Sequence, residues 1–437
     1  MNKNDFAVTP PMGWNSWDCY GASVTEPEVR ANAEYMAKNM KEFGWQYIVV
    51  DIQWYEPMAS GTEYHNLAPL CMDKYGRVLP AVNRFPSSAD GKGFSALSEY
   101  IHSLGLKFGI HIMRGIPRQA VYQNASIKGT TYSARDAADG FNVCLWNQDM
   151  YGMNAGDRAT SKSKEAAQAY YNSLIELYCG WSVDYIKVDD LSAPNYRKEE
   201  IEMLRKAIDS SGRKIVFSSS PGDTPINMAD HCVQNLNLWR VSNDFWDEWR
   251  LLYKQFGLMN DWNPYMAAGH FPDADMIPIG HLSVRTNAEY NPSRRTRFTM
   301  EEQYTMISLW ALSRSPLILG CELTDLDEFS LKLITNHEIL GINQSSSGNR
   351  QLSRRDDCPV WVADGQEGQI YVGFFNLNEE VRVIGVTLDE LGLTGRHTVT
   401  NVWSGKELGI YDDFIAFKVA PHACRLLRLT KDRTLRL

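Results

Sequence analysis

Apolar positions along this chain alternate between two textures. Val29, Ala33, Met36, Met40 and Phe43 fall on one helical face. Ahead of them Thr25 and Glu28 have the spacing of a capping box, with Pro27 in the first turn, and Gly44 stops the segment. The solid apolar run 47–50 follows and ends on Asp51. The phrase then recurs. Phe94, Leu97, Ile101 and Leu104 precede Gly105 and a short run ending on His111. A helix over 164–179 precedes Gly180 and the run 185–188, which carries Lys187 and ends on Asp189 and Asp190. Ile201, Leu204 and Ile208 precede Gly212 and a run entering Ser218 and Ser219.

Helix, glycine and buried strand in alternation imply parallel strands covered by helices. Further strands are expected at 237–240, 276–280 and 316–319, and one near Met12 brings the number to eight. The fold class is therefore α/β, a (β/α)8 barrel rather than an open doubly wound sheet. Chemistry in such a barrel sits at the C-terminal strand ends, where Asp51, His111, Lys187, Asp189, Ser219 and Arg240 fall. Beyond about residue 345 the texture changes to short alternating runs separated by turn residues, which predicts an antiparallel β-sandwich. The expected organisation is a barrel over 1–344 and a sandwich over 345–437, with a linker at 343–348.

Composition narrows the function. A length of 437 residues suits a large barrel plus a smaller domain. A net charge of −9 argues against nucleic acid or an anionic membrane as partner. The 13 Trp and 21 Tyr tilt the balance towards sugars, whose apolar faces stack on aromatic rings. Eight scattered cysteines without a C-x-x-C pair offer neither a zinc site nor a disulfide framework. The absence of G-x-G-x-x-G and Walker motifs gives no sign of a nucleotide cofactor, and no cofactor or metal is expected. Without an apolar leader the expected location is cytoplasmic, or secreted or periplasmic if a leader was removed. A homo-oligomer is compatible with the sequence.

A second acid, Asp244, follows the sixth strand in Trp239-Arg240-Val241-Ser242-Asn243-Asp244. Two acids on different barrel strands, facing a tryptophan-rich pocket, are the equipment of a glycoside hydrolase. One attacks the anomeric carbon, and the other protonates the leaving oxygen and then activates water. Lys187, on the same strand face as Asp189, would keep the attacker ionised. Asp190 alternates away and is left to support the loop.

Several motifs together resemble glycoside hydrolase family 27, the retaining α-galactosidases and α-N-acetylgalactosaminidases. They are Pro10-Pro11-Met12-Gly13-Trp14-Asn15-Ser16-Trp17, Lys187-x-Asp189, Arg240-x-x-x-Asp244, Asp273-Ala274-Asp275-Met276 and Gly341-Ile342-Asn343-Gln344. The resemblance implies Asp189 as nucleophile and Asp244 as acid/base. It makes Trp17 the residue flanking the sugar, and Asp51, Lys187 and Arg240 hydroxyl ligands. Trp54, His111, Ser219 and Asp273 complete the expected substrate-binding set.

The departures bear on specificity. Asp51-Ile52-Gln53-Trp54 keeps the first of the family's two aspartates and loses the second, which binds the 4- and 6-hydroxyl side of galactose. His111 stands where a tyrosine is usual. Both features resemble a subgroup acting on β-L-arabinopyranosides as well as α-galactosides, and an apolar Ile52 suits a sugar lacking the C6 hydroxymethyl. Ser219-Ser220-Pro221-Gly222 replaces a glutamate and a bulky residue, which resembles the α-N-acetylgalactosaminidases and makes Gly222 a second specificity position. The leading expectation is a retaining exo-glycosidase releasing terminal α-D-galactosyl units from oligosaccharides or glycosides. β-L-arabinopyranosidase and α-N-acetylgalactosaminidase activities are the near alternatives, and a non-catalytic carbohydrate-binding barrel is the remote one.

Overall fold

The computed structural model describes residues 2–61, 64–156, 159–285 and 291–432. Eight parallel strands form the barrel: β1 (Met12–Asn15), β2 (Tyr47–Val50), β3 (Lys107–Met113), β4 (Tyr185–Asp189), β5 (Val216–Ser219), β6 (Leu238–Arg240), β7 (Phe271–Asp273) and β8 (Leu317–Leu319). Each pairs with its sequence neighbour from β1 to β7, and β1 also pairs with β8. β1, β2, β5, β6, β7 and β8 are buried along their whole length, as solid apolar runs require when helices cover the sheet. Gly13 permits β1 to approach β2 closely, because a Cβ there would lie 2.5 Å from the Tyr47 carbonyl oxygen.

The expected capping box is formed. The Thr25 backbone N–H and hydroxyl both donate to Glu28 at the start of α1 (Glu26–Asn39). Between the later strands run α2 (Ser95–Ser103), α3 (Ser161–Gly180), α4 (Lys198–Ser211) and α5 (Ala229–Asn235). Gly212 closes α4 in the left-handed region at φ 74°.

The seventh strand is not where the apolar run 276–280 suggested. β7 lies at Phe271–Asp273 and pairs with β6, while Ile277 contributes a single bridge to Leu319. Pro278 has no N–H to extend a ladder, so the run closes the barrel by one contact instead of forming a strand.

The chain divides into two compact units. One comprises residues 1–244, 267–296 and 317–326, and holds all eight barrel strands. The other comprises 245–266, 297–316 and 327–437. It holds helices Trp249–Trp262 and Met300–Leu312 and the C-terminal strands β9 (Ser347–Arg355), β10 (Cys358–Asp364), β11 (Ile370–Phe375), β12 (Arg382–Thr387), β13 (His397–Asn401), β14 (Glu407–Tyr411), β15 (Phe414–Val419) and β16 (Cys424–Lys431). A six-stranded antiparallel sheet runs in the order β9-β10-β11-β16-β13-β14, and β12 pairs with β15. Val360, Val372, Phe374, Ile384, Val399, Ile415 and Leu427 form the core of this sandwich.

The stretch expected as a linker is ordered structure. Residues His337–Ser345 are helical and β9 starts at Ser347. Asn343 is buried, and its amide donates to the carbonyls of Trp310 and Ser315. Among the described residues no helix is long and apolar enough to cross a membrane.

Candidate active site

The polar residues at the barrel's C-terminal strand ends form one connected network. Asp51, just past β2, is buried and accepts from the Asn15 amide at 2.7 Å and Lys187 Nζ at 3.2 Å. Its backbone N–H donates to Ser16 Oγ, so the motif after β1 fixes the loop after β2. Burial works against the Asp51 charge, but His111 and Lys187 outweigh it and hold the carboxyl below its usual range. Lys187 is likewise opposed by burial, yet the Asp51 charge leaves its pKa raised.

Asp189 ends β4 with its side chain 9% exposed. Ser220 Oγ donates to Oδ1 at 2.9 Å, and the Trp146 indole N–H donates to Oδ2 at 3.3 Å. His111 Nε2 stands 3.8 Å from Asp189 Oδ2 and 3.9 Å from Asp51 Oδ1, between the two acids. Burial alone would raise the Asp189 pKa. The nearby His111 imidazole, then Lys187 and Ser220, reverse this and hold the carboxyl well below its usual range. A deeply placed carboxylate kept ionised is equipped as a nucleophile.

Asp244 has a different environment. Its side chain is 65% exposed and accepts from Arg240 Nη2 at 3.1 Å. Arg240, buried at the end of β6, also pairs with buried Asp275 at 2.8 Å. Asp275 in turn donates its backbone N–H to Asp273 Oδ1 at 2.9 Å. Burial, followed by the Asp275 charge, pushes the Asp273 carboxyl up to about 6. Asp273 and Asp275 thus support Arg240 from behind.

Trp17 stacks on Tyr64 with centroids 5.2 Å apart. Burial and the charges of Asp189, Asp51 and Asp244 all push the Tyr64 hydroxyl pKa well up, which places it among the three acids. Tyr64, Trp146, Asn15 and Ser220 are site residues that the sequence reading did not assign. Tyr64 and Trp146 lie on long excursions after β2 and β3, where periodicity says nothing about direction.

Three expected site residues are placed elsewhere. Trp54 is fully buried, packs on Tyr55, Phe94 and Trp181, and donates its indole N–H to the His111 carbonyl at 2.7 Å. It braces β3 from within the core. Ser219 is fully buried and shares a 2.8 Å hydrogen bond with Ser192, so its neighbour Ser220 is the one that reaches Asp189. Gly222 is demanded by backbone packing, because a Cβ there would sit 1.9 Å from the Ser242 carbonyl oxygen. Its smallness therefore does not by itself indicate room for an acetamido group. Ile52 is fully buried directly beside Asp51.

Asp190 turns away from the site, as strand alternation anticipates. It forms a buried ion pair with Arg114 at 2.7 Å, and Arg114 also binds Glu200 at 2.8 Å.

Comparison with known proteins gives the family. Residues 156–345 match the family model described as alpha galactosidase A, and 355–429 match the alpha galactosidase C-terminal beta sandwich domain. The chain is 26% identical over 438 residues to the α-galactosidase of Cyamopsis tetragonoloba, covering 98% of this chain and 88% of that protein. Among solved structures, a GH27 β-L-arabinopyranosidase from Geobacillus stearothermophilus is 50% identical with a TM-score of 0.96, covering 100% of both chains. A putative α-N-acetylgalactosaminidase from Bacillus halodurans is 48% identical with a TM-score of 0.87, covering 97% of this chain and 98% of that one. These similarities make this a glycoside hydrolase, and the chain belongs to glycoside hydrolase family 27.

Proposed function

We propose that the enzyme is a retaining exo-glycosidase with β-L-arabinopyranosides as preferred substrates and α-D-galactosides as second ones. The observation carrying the mechanism is the contrast between the two strand-end acids. Asp189 is buried, held ionised by His111, Lys187 and Ser220, and so suited to attack. Asp244 is exposed beside Arg240 and can exchange protons with solvent.

In the first step an Asp189 oxygen bonds to the anomeric carbon as the bond to the leaving oxygen breaks, and Asp244 gives that oxygen its proton. In the second, Asp244 takes a proton from water, whose oxygen displaces Asp189 and releases the sugar. Lys187, Asp51 and Arg240 supply charge-assisted hydrogen bonds to sugar hydroxyls, and Trp17 with Tyr64 provides an aromatic wall.

The choice of sugar rests on Ile52, which offers no acceptor for a C6 hydroxyl, and on the likeness to the arabinopyranosidase. α-Galactosidase activity is kept in view by the curated relatives, at 24–26% identity for the first two. The test is a side-by-side kcat/KM comparison of the 4-nitrophenyl β-L-arabinopyranoside, α-D-galactoside and α-N-acetylgalactosaminide. The proposal expects that order of preference. A leading rate on the acetamido sugar would overturn it.

A further inference from the structure

Asp149 is a buried carboxylate on the excursion after β3. Its two oxygens take different donors. The Leu67 N–H donates to Oδ1 at 3.0 Å, and the Gln53 side-chain amide donates to Oδ2 at 2.6 Å. Gln53 Oε1 in turn accepts the His65 N–H at 2.9 Å. Gln53 is fully buried and follows Asp51 and Ile52, so this circuit joins the end of β2 to two loops at once.

Each loop carries a ring of the site. Tyr64, next to His65, stacks on Trp17. Trp146, three residues before Asp149, donates its indole N–H to Asp189 Oδ2 at 3.3 Å. Three residues span at most about 11 Å even when fully extended, so a shift at Asp149 has little slack to absorb it before Trp146. A second tie runs from the Gln148 N–H to Asn66 Oδ1 at 2.9 Å. The Asp149 carbonyl accepts the Arg118 N–H at 2.9 Å, which anchors the loop from its other side.

The circuit has a fixed polarity. The backbone N–H groups of Leu67 and His65 can only donate. Position 149 must therefore accept at both oxygens, while Gln53 accepts from His65 and donates to Asp149. An amide at position 149 leaves two N–H groups facing each other, whichever way the two amides turn. A carboxylate at position 53 sets two acids against each other. Both changes together restore the match: the new amide donates to the new carboxylate, and each backbone N–H keeps an acceptor.

Taking Asp189 as the attacking carboxylate, as proposed above, we infer that Asp149 and Gln53 are positioning residues for the glycosidase reaction. Their circuit holds Trp146 on the nucleophile and Tyr64 on Trp17.

The test measures kcat and KM on the 4-nitrophenyl glycoside of the preferred sugar, with circular dichroism as the check of fold. The proteins are wild type, Asp149→Asn, Gln53→Glu and the double variant carrying both changes. Each single variant should lose about 10- to 100-fold in kcat/KM, the scale of a group displaced by about 1 Å. The double variant should return to within about threefold of wild type, because the two positions couple directly. The loss in kcat should pass through Trp146. In Trp146→Phe, which lacks the indole N–H, adding Asp149→Asn should lower kcat no further and raise only KM, through Tyr64.

Single variants with wild-type kcat/KM would overturn the inference, as would a double variant no better than the singles. Losses of kcat that multiply when Trp146→Phe and Asp149→Asn are combined would give the circuit a merely structural role and overturn it too. Any of these variants failing to fold would do the same. Failure of the Asp189 reading shows separately, as wild-type turnover by Asp189→Ala, and removes the inference with it.

Discussion

His111→Phe is the most informative single change, because it removes the group standing between two buried carboxylates. His111 Nε2 lies 3.8 Å from Asp189 Oδ2, and both side chains are largely shielded from water. A full positive charge at that distance is worth up to about 4 kcal/mol to the carboxylate at an effective dielectric near 20. A neutral donor in the same place is worth only about 1 kcal/mol. Lys187 and Ser220 remain in the variant, so the larger figure is a ceiling. The sign follows from which form is favoured. His111 stabilises ionised Asp189, whose folded pKa is depressed, so activity persists until pH falls through that low value. Removing His111 moves the loss to higher pH. The assay is the acid limb of kcat/KM against pH, which reports ionisations of the free enzyme. His111→Gln, which keeps a donor without charge, separates the hydrogen-bond part from the charge part. An unmoved acid limb, with circular dichroism showing an intact fold across the range, would refute the reasoning.

Asp244→Ala should slow glycosides with poor leaving groups far more than activated aryl ones, and equal losses in kcat would argue against a general acid. Ile52→Asp should shift the galactoside to arabinopyranoside ratio of kcat/KM towards galactose by about 10- to 100-fold, the worth of one charged hydrogen bond to a hydroxyl. An unchanged ratio removes Ile52 from the specificity argument. The Asp273 carboxyl is raised to about 6 by burial and then by Asp275. A raised acid pKa favours the folded state at low pH, and that advantage is lost as pH rises from about 4 to 6, costing about 3 kcal/mol at neutrality. Asp273→Asn should therefore raise the thermal midpoint at pH 7 more than at pH 4.5, and the same gain at both would refute the assignment.

The barrel was legible because each helix–glycine–strand phrase states its own boundaries. The capping box at Thr25 and Glu28, Asp51 just past β2 and Asp189 at the end of β4 fell where local pattern put them. The pair Lys187 and Asp189 was also readable, since alternation along one strand fixes their common side. The seventh strand was misplaced because apolar content outweighed the missing donor of Pro278. Trp54 shows the limit of proximity in sequence: three residues past Asp51, it faces the core rather than the sugar site. Ser219 and Ser220 could not be separated without knowing where β5 ends. Tyr64 and Trp146 come from excursions whose path is set by loop-to-loop hydrogen bonds, and no periodicity encodes these. In the second unit the antiparallel character of the strands was legible in the alternating runs beyond residue 345, but their pairing order was not.

The central claim is that Asp189 forms a covalent bond to the sugar. The most direct measurement treats the enzyme with a fluorinated activated glycoside of the preferred sugar, whose intermediate is slow to hydrolyse, and locates the adduct by peptide mass spectrometry. The account predicts one glycosyl unit on the peptide containing Asp189, no adduct in Asp189→Ala, and rescue of that variant's aryl-glycoside turnover by azide. An adduct on another residue, or none together with an inverted first product by NMR, would contradict it.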